Sequence, residues 1–159
     1  LKTIIKIMRR DIIKELKQYF DIKELVCPHT YKKFGERSWQ FFDSEFLENL
    51  LILRRDVLKV PLSCNDWSKG GQFSQRGFRC NICQLVKSKT LNNQIYLSAH
   101  CNGAGADFSS SKMSAKQMRE LIKENQHLFT VPVRVERDVS WLHFDIYDSG
   151  DNKYTEFVG

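Results

Sequence analysis

Two runs of β-forming residues near the end of the chain place the strongest constraint on its fold. Residues 131–136 (VPVRVE) and residues 141–147 (WLHFDIY) are rich in β-branched and aromatic side chains. Residues 137–140 (RDVS) form a short polar connection between the two runs. This arrangement is typical of two antiparallel strands joined by a tight turn, so the sequence predicts a β-hairpin.

The patterns elsewhere are mainly helical. Apolar residues recur at helical spacing within residues 1–20, opposite a basic face, which predicts an amphipathic helix that packs on its own domain or on another surface. Asp43 is predicted as the N-cap of a second helix that ends at Pro61, and Ser114 with Gln117 predicts a capping box. Helices followed by a hairpin indicate an α+β fold with an antiparallel sheet and flanking helices.

Length and composition indicate one domain and restrict its partners. The chain has 159 residues, 42% of them hydrophobic, which suits one domain spanning residues 1–159. Its net charge of +6 favours an anionic partner. The basic residues are dispersed and lack an aromatic-rich binding motif, so we expect no nucleic acid as partner. The sequence has no run of about 20 uncharged residues, so we expect no integral membrane segment. The charged start of the chain lacks the apolar centre of a signal peptide. We also expect a monomer.

The middle of the chain predicts a glycine-rich loop followed by a sharp reversal. Residues 63–79 are rich in Gly, Ser and Asn, which predicts a loop, and a short helix is expected at residues 80–87. Residues 94–99 (QIYLSA) predict a strand that ends at His100. A turn at Asn102-Gly103 then leads into another strand around Asp107. The reversal would bring His100 and Asp107 towards one point.

His100, Asp107 and His143 have the donor types of a catalytic zinc site. Zinc prefers imidazole nitrogen and carboxylate oxygen, and its catalytic sites use three protein ligands and leave a fourth position open. Spacing alone leaves two interpretations of His143, because a histidine in an apolar strand is also commonly a hydrogen-bonded core residue.

Three motifs resemble those of a known peptidase family. Residues 98–107 (SAHCNGAGAD) resemble the S-x-H-x-x-G-x-A-x-D signature of the zinc D-alanyl-D-alanine carboxypeptidases and dipeptidases, with Gly105 at the usual alanine. Residues 141–143 (WLH) resemble the W-x-H element of that family, and residues 76–81 (RGFRCN) are similar to its arginine-bearing R-x-x-N stretch. The clan also includes hedgehog-type domains and phage endolysin peptidases, and the motifs span residues 63–147 in the family order.

The resemblance implies a fold, a metal and a substrate. It implies a hedgehog-like peptidase fold with Zn²⁺ bound by His100, Asp107 and His143. It assigns Arg79 to the terminal carboxylate or main-chain carbonyls of a peptidoglycan stem peptide. It also implies a cell-wall hydrolase that works in the periplasm, outside the cell or at phage-induced lysis, and a carboxypeptidase and an endopeptidase both fit the motifs.

The expected general base is absent from its usual position. The family places an acid three residues before the last histidine, where this chain has Ser140. A serine cannot take a proton from water at neutral pH, so the role passes to Glu136 or Asp138. We favour Glu136 because its longer side chain leaves the end of a predicted strand.

Two further residues are expected beside the metal site. Asp145 lies two residues after His143, on the same strand face, and would orient a ligand imidazole or pair with a surface lysine. Ser98 is assigned to substrate binding, with a purely structural hydroxyl as the alternative.

Two other interpretations remain open at this point. Cys80-x-x-Cys83, together with Cys101 or Cys64, would suit a structural zinc site or a redox pair. The serine at position 140 also fits a catalytically inactive, zinc-containing binding module for cell wall or protein. Five cysteines are an odd number, which excludes a disulfide framework that uses them all.

Overall fold

The computed structural model of the protein describes residues 8–147, 150 and 152–159. Its regular elements are six α-helices and four strands within these residues. They are α1 (Arg9–Leu16), α2 (Ile22–Leu25), α3 (Pro28–Phe34), α4 (Ser44–Ile52), α5 (Gln84–Leu91), β1 (Gly105–Phe108), α6 (Ala115–Glu124), β2 (Val133–Glu136), β3 (Leu142–Asp145) and β4 (Tyr154–Phe157). Short 3-10 helices cover Gly35–Phe41, Trp67–Lys69 and Gln126–Leu128, and a π-helical turn covers Leu53–Leu58.

The helix caps follow the sequence predictions. The Asp43 carboxylate accepts hydrogen bonds from the backbone N–H groups of Glu45 and Phe46, which confirms it as the N-cap of α4. The Ser114 side chain and its partner three residues later form the predicted capping box at the start of α6. Helical structure after α4 ends at Lys59, whose φ of +56° is left-handed, just before Pro61.

The N-terminal helix is shorter than predicted. Residues 1–7 of the predicted segment lie outside the described residues. Within α1, Ile12 and Leu16 are buried, and the helix packs against α4. Of the two predicted alternatives, the helix therefore packs on the rest of its own domain. Met8, one of the apolar residues of the predicted segment, precedes the helix and is 63% exposed.

The sheet has the order β1-β3-β2-β4. The predicted hairpin is confirmed, since β2 and β3 are antiparallel neighbours, and β1 pairs antiparallel with the other edge of β3. The expectation of a wholly antiparallel sheet is wrong, because β4 runs parallel to β2. The end of β3 lies beside the start of β2. A strand that follows closely and lies on the far edge of β2 therefore runs in the same direction as β2.

The two faces of the sheet differ sharply in polarity. Side chains alternate between faces along a strand. One face is apolar and packs on α4 and α6, through residues such as Phe108, Val135 and Phe144. The opposite face carries the polar residues Asp107, Arg134, Glu136, His143 and Asp145. The fold therefore places every polar residue of β1, β2 and β3 on the face turned away from the main core.

The segment before His100 is not a strand. Residues 94–98 have no regular secondary structure, and Ile95 is 90% exposed. The predicted strand is wrong because the outer edge of β1 is already occupied: the Asp107 backbone N–H donates to the Arg76 carbonyl, and Ser63 pairs with Ser109. The predicted helix at residues 80–87 begins later, at Gln84, because residues 80–83 form a turn.

Gly103 occupies the reversal between His100 and β1. Its φ is +65°, as predicted for this turn, and a Cβ at this position would lie 2.0 Å from the Phe41 carbonyl oxygen. We expect Gly103→Ala to lower the free energy of unfolding by about 2 to 4 kcal/mol, because backbone strain and a steric clash add. Denaturant titration would measure this loss.

Gly70→Ala is the matched control for that substitution. Gly70 has a φ of +84°, but a Cβ there would have no neighbour within 4 Å. It should lose only about 1 kcal/mol, from the backbone strain alone. Equal losses in the two variants would show that the close packing of Gly103 against Phe41 does not matter.

Candidate metal centre

Asp107 and His143 lie side by side on adjacent strands of the sheet. They are register partners in the β1–β3 pair, so their side chains leave the same face. The His143 Nδ1 atom lies 2.8 Å from the Asp107 Oδ1 atom. Pairing of the two strands therefore brings together two residues that are far apart in the sequence.

His100 reaches the same point from the turn that precedes β1. Its Nδ1 atom lies 2.9 Å from the Gly77 carbonyl oxygen. Because a carbonyl can only accept, Nδ1 carries the proton and the lone pair of a neutral ring is on Nε2. That atom lies 3.4 Å from the Asp107 Oδ1 atom. The centroids of the His100 and His143 rings are 5.1 Å apart. The hydrogen bond to Gly77 thus fixes the His100 ring with its Nε2 atom towards Asp107.

The three predicted ligands converge in a form that suits a metal ion. His100, Asp107 and His143 each offer a ligand atom, and these atoms all lie within 4.8 Å of one another. Tetrahedral zinc with bonds of about 2.0 to 2.2 Å to nitrogen and oxygen separates its ligands by about 3.3 to 3.5 Å. The Asp107 contacts of 2.8 and 3.4 Å are close to that separation, so small side-chain movements would admit the ion.

The site opens into a cavity, as a catalytic site requires. The cavity has a volume of about 520 Å³. All three ligand residues line it, yet each is at most 7% exposed. The ligands are thus shielded from bulk water while one side of the site stays accessible to a small molecule or a peptide end.

His143 lies between two carboxylates, and its protonation reflects them. Burial favours the neutral ring, but hydrogen bonds to Asp107 and Asp145 outweigh burial and raise the pKa of His143 to about 9. Burial would raise the pKa of Asp107, but its close contacts with the His100 and His143 rings hold it well below its usual range. The centre therefore already holds one positive charge, the imidazolium proton, where a metal cation would sit.

Arg134 is a residue of the site that the sequence predictions missed. Its guanidinium forms a bidentate ion pair with Asp145, with distances of 2.8 and 2.9 Å. The Asp145 Oδ2 atom lies 2.7 Å from the His143 Nε2 atom. Asp145 thus contacts the His143 imidazole as predicted, and its ion-pair partner is an arginine. The alternation in residues 133–136 (VRVE), with Arg134 between two valines, was the available signal.

Arg79 lies in the cavity with its side chain 10% exposed. Its Nε atom donates to the Gln75 carbonyl. Its Nη1 atom donates to the Tyr96 hydroxyl at 2.6 Å. Its Nη2 atom is 3.5 Å from the Asp107 Oδ2 atom. These contacts hold the guanidinium beside Asp107, and neither Nη1 nor Nη2 has a further hydrogen-bond acceptor among the described residues.

The remaining predicted residues differ in their positions. Glu136 and Ser98 line the cavity, and the Ser98 hydroxyl accepts a hydrogen bond from the His100 backbone N–H. Asp138 lies in the turn after β2 with its side chain 78% exposed, 3.6 Å from Arg137. Ser140 is also exposed in that turn. Of the two carboxylates considered as the base, only Glu136 is among the residues that line the cavity.

A second group of metal-binding side chains lies apart from these ligands. Cys27, His29, Cys80 and Cys83 each offer a donor atom, and these atoms lie within 4.8 Å of one another, so this Cys3His group could hold a metal such as zinc. Cys80 and Cys83 were considered from the sequence with Cys64 or Cys101, but their partners are Cys27 and His29. The signal missed was the close pair of donors in residues 27–29 (CPH).

Comparison of the chain with protein-family models, curated proteins and solved structures finds no significant match. The resemblance to the zinc D-alanyl-D-alanine peptidases therefore rests on the three sequence motifs. Among the described residues, none of the helices combines the length and the apolar character needed to cross a bilayer.

Proposed function

We propose that the protein is a zinc-dependent peptidase that hydrolyses peptide bonds of peptidoglycan stem peptides. The observation that carries this proposal is the convergence of His100, Asp107 and His143 in the wall of an open cavity. The order of the motifs supports a hedgehog-like peptidase fold as part of the same proposal. The positive Arg79, which lines the same cavity, supports a substrate with a free carboxylate.

His100, Asp107 and His143 would hold the zinc. Zinc in a site with an open position acidifies a water molecule and polarises a carbonyl group, which is the chemistry of peptide hydrolysis. The ligand shell is supported from outside, because Asp145 fixes the His143 ring and Arg134 fixes Asp145. Such outer contacts keep ligands in their binding orientation.

Arg79 and Glu136 would act on the substrate. The free guanidinium hydrogens of Arg79 are placed to bind the terminal carboxylate of a stem peptide, which fixes the scissile bond relative to the metal ligands. Glu136 would accept a proton from the attacking water and return it to the leaving amine. Ser98 orients the His100 backbone and lines the same cavity, which also makes it a candidate substrate contact.

The direct test is hydrolysis of a defined stem peptide that ends in D-Ala-D-Ala. Purified protein with added zinc should release D-alanine or shorter peptides, and a chelator should stop the release. Internal cleavage of cross-linked muropeptides, without release of D-alanine, would assign endopeptidase activity. Zinc-loaded protein that binds these peptides and cleaves neither substrate would contradict the enzymatic proposal.

A zinc-containing binding module without catalysis is the second candidate. The observation that favours it is the exposed Ser140 at the position where the family has its acid. Binding of the stem peptide that depends on zinc and Arg79, with no cleavage by the wild-type protein, would establish this function instead.

Asp145→Asn is expected to weaken zinc binding at this centre about 10- to 100-fold, because the His143 ring loses the carboxylate that orients it. Competition against a chromophoric chelator would measure the change. Asp66→Asn, in a loop away from the cavity, provides a matched carboxylate-to-amide control and should keep the wild-type affinity. Unchanged affinity in Asp145→Asn would show that the contact has no role in holding the metal.

Zinc affinity is expected to rise with pH. The pKa of His143 is raised to about 9, so below that pH the His143 ring of the metal-free protein is protonated. Its Nδ1 proton then points to Asp107, close to His100, and its Nε2 proton points to Asp145. Zinc must release the Nδ1 proton, so affinity should increase by about tenfold per pH unit between pH 7 and about 9 and then level off. Chelator competition across this range would check the slope, and a flat profile would contradict it.

A further inference from the structure

A group of three thiols and one imidazole lies between the start of α3 and the turn before α5. We propose that Cys27, His29, Cys80 and Cys83 bind a second, structural zinc ion. This site is separate from the proposed catalytic centre and does not depend on the proposed activity. Zinc sites with three cysteines and one histidine have four protein ligands and no open position, so they stabilise a fold and do not bind substrate.

Backbone pairing brings the two halves of this site together. Val26 and Phe78 form an isolated parallel bridge. The Cys27 N–H donates to the Phe78 carbonyl at 3.1 Å, and the Phe78 N–H donates to the Leu25 carbonyl at 2.7 Å. These bonds fix the segment that carries Cys27 beside the residues that lead into Cys80. The site is thus built on a defined backbone arrangement.

The distances among the donor atoms of His29, Cys80 and Cys83 match tetrahedral zinc, and the Cys27 sulfur lies within 4.8 Å of all three. Bonds of about 2.3 Å to sulfur and about 2.0 to 2.1 Å to nitrogen separate two sulfurs by about 3.8 Å and a sulfur from a nitrogen by about 3.6 Å. The sulfurs of Cys80 and Cys83 are 3.8 Å apart, and the His29 Nδ1 atom is 3.7 Å from Cys80 and 3.8 Å from Cys83. A disulfide would need about 2.05 Å, and these cysteines are free.

The chemistry of the donors selects zinc among common divalent ions. Thiolates are soft ligands that bind zinc far better than magnesium or calcium. The Thr30 hydroxyl lies 3.1 Å from the Cys27 sulfur and can donate a hydrogen bond to a metal-bound thiolate.

A metal at this site would hold the segment that carries Arg79. Arg79 lies between Phe78, which is bonded to the Cys27 segment, and the ligand Cys80. Its backbone N–H donates to the His100 carbonyl at 3.1 Å. Zinc bound to the four residues would therefore fix the backbone on both sides of Arg79. We expect slow amide exchange at residues 78–83 in zinc-loaded protein and faster exchange when the cysteine ligands are removed.

Metal content separates the two sites. Zinc-loaded wild-type protein should contain two zinc ions per chain by elemental analysis, and the double variant Cys80→Ser/Cys83→Ser should contain one. His100→Ala should also contain one, and Cys101→Ser, a matched thiol substitution outside the group, should keep two. A double variant with the same zinc content as wild type would overturn the proposal. Failure of the catalytic site would instead appear as unchanged zinc content in His100→Ala.

A spectroscopic measurement covers the case in which the double variant does not fold. X-ray absorption of zinc-loaded His100→Ala should show zinc with three sulfur neighbours at about 2.3 Å and one nitrogen neighbour at about 2.0 Å. A zinc environment of nitrogen and oxygen alone would overturn the proposal. So would a disulfide between Cys80 and Cys83 that persists, by intact mass, in protein purified and loaded under reducing conditions.

Discussion

His100→Ala is expected to abolish peptide hydrolysis and to remove one zinc ion per chain. The substitution deletes one of three ligands, and the Nε2 atom that it removes is the one aimed at Asp107. Metal chemistry contributes several kcal/mol to such reactions, and each 1.4 kcal/mol or so is a factor of ten, so the rate should fall at least about 10³-fold. Initial rates of D-alanine release, with zinc content measured on the same samples, would check this.

His127→Ala is the matched control for the loss of an imidazole. His127 lies in the exposed 3-10 helix Gln126–Leu128, away from the cavity. It should keep wild-type activity and zinc content. If His100→Ala cleaves the stem peptide at a rate within a few-fold of wild type, the assignment of His100 as a metal ligand is wrong.

Glu136→Gln should lower the rate of hydrolysis by about 10² to 10⁴-fold, the usual contribution of a general base. The amide keeps the size of the side chain but cannot accept the proton of the attacking water. Glu136 lines the cavity without belonging to the three ligands, so zinc content and the affinity for uncleaved peptide should not change. Steady-state kinetics should therefore show a loss in kcat with little change in KM.

Asp138→Asn gives the comparison for Glu136→Gln, because it makes the same chemical change on the exposed carboxylate in the next turn. We expect wild-type kinetics from it. A large loss of kcat in Asp138→Asn together with full activity in Glu136→Gln would move the role of base to Asp138.

Local rules predicted the parts of the fold that depend on a few neighbouring residues. The caps at Asp43 and Ser114 satisfy backbone N–H groups within one helical turn, and the hairpin follows from two short runs and one turn. The approach of His100 to Asp107 followed from the turn at Gly103. Each of these features is specified by residues close together in the sequence.

Features that depend on competition for a shared edge or on distant partners were not predictable in this way. Residues 94–99 have a strand-like composition, but the edge of β1 is taken by residues 63 and 76. The parallel β4 and the pairing of Arg134 with Asp145 depend on the final sheet order. The Cys3His group needs Val26 to meet Phe78 across the fold, which spacing alone does not reveal.

Anomalous X-ray diffraction at the zinc edge, on crystals of the zinc-loaded protein, would show whether His100, Asp107 and His143 hold a zinc ion. We expect an anomalous peak about 2.0 to 2.2 Å from the His100 Nε2 atom, an Asp107 carboxylate oxygen and the His143 Nδ1 atom, with the fourth position open to the cavity. Zinc-loaded crystals with no peak at these three residues would contradict it, even if a peak lies among the cysteines.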